Sequence, residues 1–145
     1  MQKIAVGLGA LLFFSACSKD ENLTLRNEQF GLNQVSNSGV SGTVFVAENQ
    51  DHSFNITVRL NNSVKDTIHI MNVYKTPGQV AVKLADIKGT GSAAIGETKN
   101  IAQAVEVTGN FGSVNYDQVI AQKNIVRVLM SASNNLVLCE GEIGR

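Results

Sequence analysis

The chain has 145 residues, with 12 basic and 12 acidic side chains, two cysteines and only two histidines. That length suits one domain large enough to bury its own core. The balanced charge leaves no basic block to hold a phosphate backbone, which argues against nucleic acid as a partner, and two imidazoles are too few for a redox metal site built from several histidines.

The first segment is a single Lys3 followed by the apolar run Ile4 to Phe14 and the small residues Ser15 and Ala16. The run is far too short to span the roughly 30 Å hydrocarbon core as a helix and matches a secretory signal. Phe14-Ser15-Ala16-Cys17 resembles the lipobox of bacterial lipoproteins, in which the signal is cut before the cysteine and that cysteine is acylated. Each buried methylene contributes about 0.8 kcal/mol, so two or more chains hold a protein stably at a membrane. The expectation is a signal over 1–16 and a lipid attachment at Cys17, with the membrane as partner through that anchor; a plain secretory signal cut nearby is the alternative. Ser18-Lys19-Asp20-Glu21 resembles the Lys-acidic-acidic export tag of surface lipoproteins in the Bacteroidetes phylum, which implies the outer membrane and display at the cell surface. The rival reading is a solvated stretch facing the periplasm. With Cys17 acylated, Cys139 is the last thiol and no internal disulfide can form.

Residues 17–38 are polar and rich in Asn, Gln and Ser, and read as a tether with one strand near Phe30. Residues 39–145 read as the folded domain. Within them Phe54-Asn55-Ile56-Thr57-Val58-Arg59-Leu60 alternates apolar and polar without a break, the mark of a half-buried antiparallel strand. Similar runs occupy 42–47, 67–73, 80–86, 125–131 and 136–139, separated by turn-formers such as Asn49-Gln50-Asp51, Asn61-Asn62-Ser63, Thr76-Pro77-Gly78 and Ser133-Asn134-Asn135. One short helix is expected near 116–122, capped by Asn115 or Asp117. Repeated short strands of this kind make an all-β sandwich or barrel.

Ser38-Gly39-Val40-Ser41-Gly42-Thr43-Val44, Ile68-His69-Ile70-Met71, Asn115-Tyr116-Asp117-Gln118-Val119-Ile120, Ile125-Val126-Arg127-Val128 and Glu140-Gly141-Glu142-Ile143-Gly144 follow the order seen in CHRD (chordin-type) domains. The chain resembles that family over most of its length after Cys17. The resemblance implies a Greek-key antiparallel β-sandwich related to copper-zinc superoxide dismutase and to immunoglobulin-like folds. It also implies a His-Ile-His strand and a later Val-Asn-Val-His strand, from which this chain departs. Here His69-Ile70-Met71 and Val126-Arg127-Val128-Leu129 stand in those places, so two of the family's imidazoles are absent.

Strand alternation puts His69, Met71 and Val73 on one face and Ile68 and Ile70 on the other, so His69 and Met71 project together as a ligand pair would. A thioether beside one imidazole suits copper(I) and does poorly for zinc. The competing expectation is a packed strand face, because Met fills irregular gaps. His52 falls in a turn beside Asp51 and is expected in solvent. Met130 should face inward with Val126 and Val128, Cys139 should alternate with Leu138 and be buried, and Glu140 and Glu142 should share a solvated face. Gly89-Thr90-Gly91 lacks a following helix and reads as a turn, not a phosphate loop. No nucleophile elbow or zinc-protease helix is present. The expectation is a non-catalytic, lipid-anchored envelope protein, a structural or binding module whose ligand and protein or glycan partner the sequence does not identify, with no cofactor; copper binding at His69 and Met71 is the alternative.

Overall fold

The structure, a computed structural model, describes residues 25–76, 79–102 and 113–145. The signal segment, Cys17, the acidic tag and the turn at Pro77-Gly78 lie outside the described residues. Nine strands and one short helix follow in order: β1 (Asn27–Gln34), β2 (Gly42–Glu48), β3 (Phe54–Leu60), β4 (Ile68–Thr76), β5 (Gln79–Lys83), β6 (Ile87–Lys88), β7 (Ala94–Ile101), α1 (Tyr116–Ile120), β8 (Asn124–Ser131) and β9 (Asn134–Ile143). They form one curled antiparallel sheet in the order β5-β4-β8-β9-β1-β2-β3-β7, with β6 added beside β4. The curl folds the sheet into two halves that face each other across a common core, so the chain is an all-β antiparallel sandwich. Crossovers from β3 to β4, from β5 toward β7 and from β7 to β8 interleave the halves, leaving β7 beside β3 and β8 beside β4 in Greek-key fashion.

β3 occupies the seven residues that alternation marks out. Phe54, Ile56, Val58 and Leu60 are buried, with Asn55, Thr57 and Arg59 turned outward. They meet Val44 and Val46 of β2 beside them, and Met71, Val73, Val126, Val128 and Ile143 complete the core from the other half. Fully burying each such side chain contributes about 1.5–3 kcal/mol, and Cys139 joins this core as a free, buried thiol.

The strand expected near Phe30 is present as β1, and it is part of the sheet, so the paired fold starts ahead of residue 39. β1 joins the halves: residues 27–32 pair with β2, while Asn33 and Gln34 pair with β9. Leu32 is buried and Phe30 packs against the core, whereas Gln29 and Gly31 face outward. The pairing with β2 extends ahead of β1, because the Leu25 N–H donates to the Glu48 carbonyl at 3.0 Å and the Glu48 N–H to the Arg26 carbonyl at 2.7 Å.

β7 has no counterpart among the runs read from sequence, and its inner face shows why. Gly96 sits where a core residue would otherwise stand, and a Cβ there would lie 2.5 Å from Ile87 Cγ1 and 2.8 Å from Met71 Cε. The glycine makes room for side chains arriving from the opposite half, while the apolar neighbour Ile95 points outward and is 64% exposed. Periodicity is therefore inverted locally.

The alternation expected between Leu138 and Cys139 fails as well. Val128 pairs with Cys139 but Leu129 pairs with Val137, so Leu138 is the extra residue of a β-bulge, and both it and Cys139 are buried. The helix is capped by Asn115, not Asp117. Asn115 Oδ1 accepts from the Gln118 N–H at 2.9 Å and Gln118 Oε1 accepts from the Asn115 N–H at 3.0 Å, and the helix ends at Ile120.

Candidate functional site

His69 and Met71 do lie on one inward face of β4, and both are buried, His69 completely. The imidazole is already engaged on both sides. Its Nε2 accepts from the Val64 N–H at 3.1 Å, which fixes the proton on Nδ1, and Nδ1 donates to the Met130 carbonyl at 2.9 Å. The ring thus ties the loop before β4 to the end of β8. Gly89 comes close to the same point, since a Cβ on it would collide with the Val64 carbonyl oxygen and lie 3.0 Å from His69 Nε2. This close approach, with Thr90 N–H donating to Ser63 Oγ at 2.9 Å, accounts for the glycine as a turn residue.

A copper(I) ion does not fit the pair as it stands. The lone pair it would use on Nε2 is held by Val64, and the Met71 thioether tip is directed into the space over Gly96. Leu129, the residue in the third position, points to the opposite face from Met71 and its neighbour Val128. Among the described residues, no three His, Cys, Asp or Glu side chains come together as a metal would require.

The remaining singled-out residues are dispersed. His52 is exposed, in a left-handed turn, with Nδ1 at 3.6 Å from Glu48 Oε1. Burial pushes the Cys139 thiol up to about 12, so it is held as the unreactive thiol. Met130 is partly buried against the core. Glu140 pairs with Arg127 at 2.7 Å and Glu142 with Lys123 at 3.1 Å, both on the outer side of β9.

One cluster has no counterpart in the sequence reading. Arg26, at the entrance to β1, forks onto Glu48 with Nε to Oε2 at 2.5 Å and Nη2 to Oε1 at 2.7 Å. Its Nη1 meets Asp117 Oδ1 at 2.9 Å, and the guanidinium lies over the Tyr116 ring at 4.6 Å. The fork holds the buried Glu48 carboxyl below its ordinary range, chiefly through the Arg26 hydrogen bond. Burial raises the Tyr116 phenol, whose hydroxyl is enclosed without a hydrogen-bond partner. Arg145 adds a contact to Glu28 at 3.0 Å, so both ends of the described chain meet at this end of the sandwich.

The two outer faces differ. Outside β2, β3 and β7 the face is set by Thr43, Asn55, Thr57, Glu97 and Lys99; its aromatic residue, Phe45, is covered by Arg59 at 4.9 Å, and Ile95 beside Arg59 is exposed. Outside β4, β8 and β9 an apolar row crosses three strands in register: Ile70 beside Leu129 beside Val137, all half-buried. They border a shallow depression of about 560 Å³ whose other walls include Tyr74, Asn72 and Arg127. Arg127 lies over the Tyr74 ring at 5.2 Å while holding Glu140, so the polar groups are arranged around the apolar row. A half-buried apolar strip turned outward inside a polar rim is the pattern of a binding surface.

In comparisons with known proteins, no family model matches this chain, and no curated protein or solved structure matches it.

Proposed function

We propose that the chain is a non-catalytic, lipid-anchored module of the bacterial cell envelope, a chordin-type β-sandwich that works by binding through the outer face of its β5-β4-β8-β9 half. The observation that carries the binding role is the Ile70, Leu129 and Val137 row, apolar across three strands on a face that the fold itself does not cover. The anchor rests on the apolar run ending in Phe14-Ser15-Ala16-Cys17, and surface display on Lys19-Asp20-Glu21. Seven residues separate Cys17 from Leu25 in the sequence, so an anchor at Cys17 would hold the sandwich close to the bilayer with its Arg26 end toward it.

The test is fractionation of bacterial cells carrying the full chain or Cys17→Ser. The unchanged chain should sediment with membranes, take up a labelled fatty acid and be shaved from intact cells by added protease. Cys17→Ser should be released into the soluble fraction. Membrane retention of that variant would defeat the anchor reading, and protection from protease in intact cells would place the module on the periplasmic face instead.

A further inference from the structure

We infer that the occupant of this face is a second copy of the same chain, packed sheet on sheet about a two-fold axis that runs parallel to the strands. The inference rests on the binding role proposed for the face and adds the identity of the partner.

An isologous contact must be self-complementary, since each patch meets its own copy. Two registered rows meet that demand. In the polar row Glu140 lies beside Arg127, Arg127 beside Asn72 and Asn72 beside Lys83, so the acidic end is on β9 and the basic end on β5. A two-fold axis along the strands reverses the row, setting Lys83 of one copy over Glu140 of the other, twice per dimer. Rotation of the apolar row sets Leu129 over Ile70 of the second copy. Apolar side chains thus meet at the centre, and opposite charges meet at both margins of the polar row. Sheets pack in this way at about 10 Å, with their strands within about 30° of each other.

The axis direction brings a second agreement. Rotation about the strand direction keeps the ends of the sandwich in place, so both Arg26 ends, and the anchors ahead of them, point the same way. Both copies can then sit in one membrane. An axis across the strands would send the two anchors in opposite directions. Confinement to a membrane also raises the effective concentration of one copy around the other, so a contact of moderate area suffices.

The experiment is thiol crosslinking of the full chain in cells, using Lys83→Cys together with Glu140→Cys and a bis-maleimide whose reach of about 10 Å matches the spacing of packed sheets. Within one copy these positions are three strands apart, about 14 Å at the usual strand spacing, beyond that reach. Only a second copy can complete the crosslink. The expected result is a covalent dimer from the double variant, and none from either single variant, from the unchanged chain or from Arg59→Cys on the other outer face. No dimer, with both thiols still labelled by maleimide, overturns the inference, as does equal trapping by the single variants. Sedimentation of the chain carrying Cys17→Ser gives the second readout. Lys83→Glu should raise the dimer Kd about tenfold through like-charge contact, and Lys83→Glu with Glu140→Lys should restore it. A Kd unchanged by Lys83→Glu also overturns the inference. Fractionation of the same cells separates this failure from failure of the anchor, because loss of pairing leaves Cys17-dependent membrane retention intact.

Discussion

The two halves of the sandwich bury similar residues and yet are built differently. β2 and β3 alternate without fault and pair in an unbroken register, while β3 meets β7 through a shift between Phe54 and Ile56, and the outer face of this half is polar apart from Phe45 and Ile95. β4, β5, β8 and β9 carry register shifts at Tyr74, Leu129 and Leu138, take a histidine into the core and turn a half-buried apolar row outward. β2 and β3 are specified by pattern alone. The second half spends regularity on a surface that can meet something else, and polar ties compensate at its irregular points. His69 is such a tie in the second half, and Arg26 with Glu48 is one in the first. They lie at opposite ends of the sandwich and differ in kind, one neutral and sealed, the other charged and half-exposed.

The largest expected effect tests the regular half. Val58 is fully buried and Thr57 beside it faces outward. Val58→Asp places an unpaired carboxylate in the core, at a cost comparable to the whole stability of a small domain, about 5–15 kcal/mol, and should leave the protein unfolded or insoluble. Thr57→Asp should change stability by less than about 1 kcal/mol. Thermal melts of the pair give the answer, and equal melting temperatures would remove the asymmetry between faces on which the comparison rests.

Next in size is the tie in the irregular half. His69→Ala removes a buried ring, opens a cavity and leaves the Val64 N–H and Met130 carbonyl without their partner, at a cost of about 3–5 kcal/mol. His69→Gln, which can keep an acceptor toward Val64, should recover part of that loss in urea unfolding. If both variants match the unchanged protein, the ring is not the tie described. Copper(I) titration against a competing chelator adds an independent check, with no affinity expected. Tight one-to-one binding that Met71→Leu weakens would show that the ring gives up Val64 for metal.

How much could be read from sequence cuts across that division. The exposed and buried positions of β3 are visible because nothing interrupts period two from Phe54 to Leu60. β7 is hidden because Gly96, facing inward, is small so that Met71 and Ile87 from elsewhere can fill the space, a fact about partners that no local pattern contains. β1 is legible only as one strand near Phe30 inside a polar stretch, because its outward residues are Asn, Gln and Gly and its inward anchors are Phe30 and Leu32; its place in the sheet depends on β2 and β9. His69 and Met71 are found on one face, as alternation requires, but the bonds to Val64 and Met130 that decide what the imidazole can do come from outside the strand. The Arg26 cluster assembles residues from β1, β2 and α1, and only the folded topology brings them together.

The smallest effect concerns that cluster and separates the two ties by their response to acid. Arg26 holds the Glu48 carboxyl below its ordinary 4.5 in the folded protein, while the unfolded chain retains the ordinary value. A group whose folded pKa is depressed adds stability above the unfolded pKa, and that contribution is lost as pH falls through the folded one. Stability should therefore hold from neutral pH down to about 4.5, then decline as the solution becomes more acidic and Glu48 takes up its proton. In Glu48→Gln this part of the decline should be missing, at the expense of a lower melting temperature by a few degrees at pH 7. Arg26→Gln should flatten the acid limb in the same way, because the depression comes first from its hydrogen bonds. Urea unfolding midpoints of the three proteins between pH 7 and pH 3 measure this directly. Parallel curves would mean that the fork contributes nothing to the acid response, and that the regular half depends on its core alone.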